Sequence, residues 1–269
     1  MTNTSLRDVS LLNVTNRRRF YAAPDQFDAE GSQVTLDREE AHHLRKVLRL
    51  AAGDEVCVFD GEGREFLCLV RDVARGEAET LDVLRPITPA QPESPLELRL
   101  AVALLKNEKL DWVVQKATEL GVRRITPVTT KRADVRLRKD SNAQTRVIRL
   151  QRLALEASKQ SGRARVPIID APLGFEALIL NSSSSWEEKN LLFAERGGRG
   201  LAETFGEWTA APLRITALVG PEGGWEDAEI ERAREKGWTI ITLGGRTLRA
   251  ETAAVTIVAL LQHLCGDLV

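Results

Sequence analysis

The sequence predicts an α/β fold, with a helix-covered parallel sheet preceded by a smaller β-rich module. Three observations carry this. From residue 96 onward, apolar strand-like runs alternate with helical patterns, the arrangement of a parallel sheet covered on both faces. Before residue 85 the runs alternate apolar and polar with period two, as half-buried strands do. Between them, RPITPAQPESP holds Pro86, Pro89, Pro92 and Pro95. Proline removes a backbone donor and fixes φ, so this stretch is expected to be an extended linker outside regular elements. The expected boundaries are 1–16 for a polar extension, 17–84 for the first module, 85–95 for the linker and 96–269 for the second domain.

In the first module, DEVCVFD and REFLCLVRDV read as strands joined by a DGEG turn, and REEAHHLRKVLRL reads as one helix. A partly closed barrel is expected. In the second domain, LRLAVALL is a strand. NEKLDWVVQKATELG is a helix, with Asn107 as its cap and Gly121 as its stop. RITPVTT, VPIID, NLLFAE, RITALVG and TIITLGG are further strands. SNAQTRVIRLQRLALEASKQSG, GFEALIL, EDAEIERAREKG and ETAAVTIVALLQHL are further helices. Trp112 and Trp238 fall in core-like patterns, whereas Trp225 suits either a core or a base-stacking platform.

Composition excludes several classes. No apolar run approaches the ~20 residues that span a bilayer. The first residues lack a basic-then-apolar export signal. Cys57, Cys68 and Cys265 share no metal-ligand spacing, and read as free thiols of a reducing cytoplasm. Three histidines, His42, His43 and His263, do not suggest a metal site, so no metal is expected. The overall charge of -1 conceals an uneven distribution. Between Arg123 and Arg165 stand thirteen Lys or Arg and three Asp or Glu, a local net of +10. Such a surplus points to a polyanion rather than to an ordinary solvated helix face.

Two glycine loops leave strands where ligands bind in open α/β sheets. They are GPEGGW at 220–225 and LGGRTLRAETA at 243–253. Neither is a phosphate loop or a dinucleotide fingerprint, and Glu222 would repel a phosphate. Bare backbone groups at close range suit an adenine edge or ribose, and a carboxylate tolerates a sulfonium. S-adenosylmethionine fits that description. The alternative is a pair of tight turns, with Glu222 favouring the start of the next helix.

GPEGGW followed by LGGRTLRAETA resembles the paired cofactor loops of the SPOUT (α/β-knot) RNA methyltransferases. The chain is most similar to the RsmE family of 16S ribosomal RNA (uracil-N3)-methyltransferases. RRFY at 18–21, HHLRKVLRLAAGDEVCVFDGEG at 42–63, LLKNEKLDWVVQKATELGV at 104–122 and LEASKQSGRARVP at 155–167 agree with it. The resemblance covers about residues 17 to 265. Trp225, Glu226, Gly245, Thr247 and Ala250 depart from the family's usual residues. The resemblance implies a PUA-like, RNA-binding first domain and a second domain with a deep trefoil knot. It also implies a homodimer, with the site near the subunit interface, acting on 16S rRNA in the small ribosomal subunit.

By the same resemblance, S-adenosylmethionine would be cradled by Gly220, Pro221, Glu222, Gly223 and Gly224. Leu243, Gly244, Leu248, Arg249, Thr252 and Ala253 would form the second wall, and Ala194 and Glu195 a third contact. Arg249 is the candidate catalytic residue, orienting the uracil or stabilising charge on its oxygens. The alternative for Arg249 is an ion pair with Glu251 or a helix-end contact. No general base is evident. Arg17, Arg18, Arg19, Arg45, Lys46, Lys131, Arg132, Lys159, Arg163 and Arg165 are candidate phosphate contacts. Competing functions are methylation of another RNA, at a transfer RNA base or a ribose, and a non-catalytic RNA-binding assembly factor.

Overall fold

A computed structural model describes residues 18–72, 79–106, 108–133, 140–182 and 185–268. The chain divides into two compact units, Met1–Glu93 with Ser158–Val166, and Ser94–Ala157 with Pro167–Val269. Arg17 and Asn107 lie outside the described residues.

The first unit is a five-stranded sheet in the order β1-β3-β4-β5-β2. Its strands are β1 (Arg19–Tyr21), β2 (Gln33–Thr35), β3 (Glu55–Phe59), β4 (Glu65–Val70) and β5 (Thr80–Ile87). β3 and β4 form the expected hairpin. Its turn closes on the buried Asp60, which accepts from the backbone N–H of Glu62 at 2.8 Å and of Arg64 at 3.0 Å. Phe20, Val34, Leu44, Val56, Val58, Cys68 and Leu81 fill the core. Two expectations need correction. The single helix over 38–50 is instead α1 (Arg38–His42), capped by Asp37, followed by a wider π-type turn over His43–Val47. The proline-rich stretch is partly a strand, because β5 runs through Pro86. β2 pairs β5 only as far as Asp82. Pro86 therefore lies on a segment with a neighbour on one side only, where a missing N–H is tolerated.

The second unit holds β6 (Glu97–Ala103), β7 (Arg124–Thr129), β8 (Ile168–Ile169), β9 (Leu173–Gly174), β10 (Glu188–Phe193), β11 (Arg214–Val219) and β12 (Thr239–Ile241). Their order is β12-β10-β11-β6-β7-β8, with β9 also on β7, and every pair is parallel. The helices are α2 (Lys109–Glu119), α3 (Asp140–Ser161), α4 (Phe175–Leu180), α5 (Leu201–Gly206), α6 (Asp227–Glu235) and α7 (Ala250–Cys265). α7 packs on α2, β6 and β11. Phe175 and Ile179 of α4, Ile230 and Ala233 of α6, and Trp225 and Trp238 pack with Ala101, Val128, Leu192 and Leu218. Trp238 is buried as expected, but Trp112 is 42% exposed on the outer side of α2.

β12 is bonded along both edges. Its Ile241 carbonyl accepts from Ala194 at 2.9 Å, just past the end of β10. Its other edge exchanges bonds with Arg199, which donates to Ile240 and accepts from Thr242, both at 2.9 Å. The segment 194–199 therefore wraps around the end of β12. That passage needs Gly198, because a Cβ there would sit 2.6 Å from the Ile241 carbonyl carbon and 2.7 Å from the Thr242 nitrogen.

The opening ends of the strands carry a charged network. Glu97 accepts from Arg99 at 2.8 Å and from Arg214 at 2.9 Å. Burial opposes the charge on Glu97, yet hydrogen bonds from Arg214 and Arg99 hold its carboxyl down at about 2, against an ordinary 4.5.

Two outcomes are expected. Gly198→Ala costs about 3 kcal/mol in chemical denaturation, through clash with backbone that cannot move aside. Gly197 has a φ of +71 but nothing within 4 Å of an added Cβ, so Gly197→Ala costs only about 1 kcal/mol. Equal losses would contradict the threading. Because the Glu97 pKa is depressed in the folded state, its stabilisation is present above about 4.5 and is lost as pH falls toward about 2. Glu97→Gln should flatten that part of the acid-unfolding profile.

Candidate active site

β10, β11 and β12 end side by side at Phe193, Val219 and Ile241. The loops that follow them enclose a cavity of about 410 Å³, the size of a small-molecule site. Of the expected cofactor contacts, Ala194, Glu195, Gly220, Pro221, Glu222, Leu243, Gly244, Leu248, Arg249 and Ala253 line it. Gly223, Gly224 and Thr252 do not line it.

The glycines have separate physical reasons. A Cβ on Gly220 would lie 2.8 Å from Trp225 Nε1. That indole is fully buried and donates to the Phe193 carbonyl at 2.9 Å. Trp225 is thus a core residue that ties the GPEGGW loop to the end of β10, and not a stacking platform. Gly224 has a φ of +66, and a Cβ there would meet Glu195 Oε1 at 2.5 Å. Gly223 packs against Arg132, whose guanidinium donates to the Gly223 carbonyl at 3.3 Å. Gly223 and Gly224 therefore shape the loop from behind. Gly244 and Gly245 both sit at positive φ with open space around them, so backbone conformation alone selects glycine there.

Buried Glu229 anchors the far end of the loop. It accepts from the backbone N–H of Glu226 at 3.0 Å and of Lys131 at 3.2 Å. Glu222 faces the cavity and accepts from Lys109 Nζ at 2.9 Å. That hydrogen bond is the first cause holding the Lys109 pKa above its ordinary value. Lys109 also stands 3.4 Å from Glu251. Arg249 occupies the N-cap position of α7 and is exposed. Among the described residues its guanidinium makes no ion pair, and Glu251, its expected partner, pairs with Lys109. Backbone walls with a carboxylate suit a purine edge beside a positive sulfur, so the residues present fit S-adenosylmethionine.

The candidate phosphate contacts fall into two groups. Arg19 is held by Glu65 at 2.7 Å, Arg45 by Glu79 at 2.7 Å, Arg163 by Glu93 at 2.7 Å, and Lys159 by Glu40. The sequence-derived surplus overlooked these partners, which lie outside the basic stretch. Arg165 lies against Gly63. Arg18 and Lys46 are exposed and form no ion pair among the described residues. Lys131 is 64% exposed with a contact to Glu226 at 3.2 Å, and Arg132 is 47% exposed. Lys109 escaped the sequence reading. Its signal was a lysine in the first turn of a helix, where the macrodipole disfavours a cation.

Residues 92–262 match the RNA methyltransferase domain and residues 36–80 match the RNA methyltransferase PUA domain. Ribosomal RNA small subunit methyltransferase E of Synechocystis sp. is 35% identical over 91% of this chain and 77% of its own length. The Bacillus subtilis protein of that name is 29% identical over 92% of this chain and 96% of its own. The Neisseria gonorrhoeae enzyme of that name, solved with S-adenosylmethionine bound, is 30% identical. It covers 94% of this chain and 100% of its own, with a TM-score of 0.81. A Legionella pneumophila methyltransferase solved with the same cofactor is 27% identical, over 93% and 99% of the two chains, with a TM-score of 0.80. With both parts of the sequence matched and the glycine loops meeting at one cavity, the chain belongs to the ribosomal RNA small subunit methyltransferase E family.

Proposed function

We propose that this protein methylates N3 of a specific uridine in 16S ribosomal RNA of the small subunit, with S-adenosylmethionine as donor. The observation that carries the reading is the cavity at the ends of β10, β11 and β12, walled by two glycine loops and edged by an unpaired Arg249. When bound there, the cofactor supplies an electrophilic methyl group. The chain's own residues do the rest. The backbone of Gly220, Pro221, Leu243 and Gly244 grips the ligand, and Glu222 offers a carboxylate toward its positive charge. N3 of uridine carries a proton that must leave as the N–C bond forms, so negative charge gathers on the neighbouring carbonyl oxygens. Arg249 is placed to stabilise that charge, and fixed geometry supplies much of the acceleration.

In this reading residues 17–84 serve RNA binding, 85–95 connect, and 96–269 hold the methyltransferase site, with 1–16 an extension. Phosphate contacts fall to Arg18, Lys46, Lys131 and Arg132, the exposed ones among the described candidate cations. The wrapping of 194–199 around β12 supports a trefoil knot. A homodimer would cover exposed apolar side chains of α2 and α7, where Trp112 is 42% and Leu264 43% exposed. Cys57, Cys68 and Cys265 form no disulfide among the described residues, which suits the cytoplasm, where ribosomes are assembled.

The test is methyl transfer from labelled S-adenosylmethionine to small ribosomal subunits from a strain lacking this protein, with nucleoside analysis of the product. The expected product is 3-methyluridine. Label found only in transfer RNA, or on a ribose, would overturn the substrate. Failure to bind S-adenosylmethionine at all would point to the assembly-factor alternative, whereas binding without label on any RNA would point to a missing partner or the wrong RNA. Arg249→Ala should lower kcat about 100-fold.

A further inference from the structure

Lys109 sits in the first turn of α2, against the sense of the helix dipole. Its ammonium lies 2.9 Å from Glu222 and 3.4 Å from Glu251. The two carboxylates come from different walls. Glu222 belongs to the loop after β11 and lines the cavity, while Glu251 stands in the first turn of α7, beside the lining residue Ala250. Among the described residues, no other cation comes within 4.0 Å of either carboxylate. The Glu251 oxygen nearest Lys109 is buried and makes no hydrogen bond. Two carboxylates and one ammonium leave the cluster with a net charge of -1. Without Lys109 it would be -2.

We propose that Lys109, Glu222 and Glu251 form a charge cluster that sets how strongly the cavity prefers S-adenosylmethionine over its demethylated product, S-adenosylhomocysteine. The inference rests on the cofactor reading above and assigns Lys109 a specificity-determining role. The two ligands differ by one methyl group and one positive charge at sulfur. The rest of the two molecules is identical. The ratio of their dissociation constants therefore isolates the effect of local charge and cancels any damage common to both. The carboxylates favour the cation, and Lys109 tempers that preference, which limits discrimination against the neutral thioether.

The test is calorimetric titration of both ligands into the full chain and three variants. Lys109→Met should raise the preference for S-adenosylmethionine about fivefold, and Glu222→Gln should lower it by a similar factor. The double variant returns the cluster to -1, so its ratio should lie within about twofold of the parent protein. Added salt should shrink each shift. If both ligands bind and the ratio stays flat across the variants, or moves with the opposite sign, the inference is overturned while the cofactor reading stands. If neither ligand binds the parent protein, the cofactor reading fails and takes this inference with it.

Discussion

The site depends on one close approach: the Trp225 indole passing beneath Gly220 to reach the Phe193 carbonyl. That hydrogen bond joins the loop after β11 to the end of β10 inside the core, where an unmade bond would cost about 1–3 kcal/mol. Any side chain at residue 220 would occupy the space of the indole. Behind it, Gly224 yields to Glu195, and Gly223 yields to Arg132. The glycine loop is thus shaped as much by packing from behind as by a ligand in front. The packing behind the loop holds the Gly220–Glu222 side of the cavity in place, and a wall held in place lowers the ordering cost of binding.

Charge is organised with the same economy. The basic stretch 123–165 looks like an open polyanion surface, but several of its cations have carboxylate partners elsewhere in the chain. Lys159 meets Glu40 across 119 residues, and Arg163 meets Glu93 across 70. Such partly buried pairs hold structure in place and are poorly available to a phosphate. Among the described candidates, Arg18, Lys46, Lys131 and Arg132 remain exposed. Around the cavity, by contrast, Glu251 pairs with Lys109 and Arg249 forms no ion pair among the described residues. An exposed, unengaged guanidinium beside a small-molecule cavity is available for chemistry.

Much of this was legible in the sequence. Strands β6 and β11 and the LLF end of β10 are apolar, and helices α2, α3 and α7 carry long periodic patterns, so the alternating plan showed directly. What stayed hidden is non-local. β1, β2, β9 and α5 are short, and β1 and β2 exist through pairing with distant partners. The break at His43 in the first helix and the strand character of Pro86 also depend on neighbours rather than on local propensity. The two glycine loops were visible as candidates for one site, but Glu222's dependence on Lys109 joins residues 113 apart. The reason for Gly220 required knowing where Trp225 points.

The central claim is that the loops after β10, β11 and β12 close around S-adenosylmethionine. The most direct measurement is amide hydrogen exchange with and without that ligand. Slowed exchange confined to residues 194–195, 220–224 and 243–253 would bear the claim out, with the charged strand ends at Glu97–Arg99 and Arg214 unaffected. Unchanged exchange in those loops under saturating ligand, or protection centred elsewhere, would contradict it.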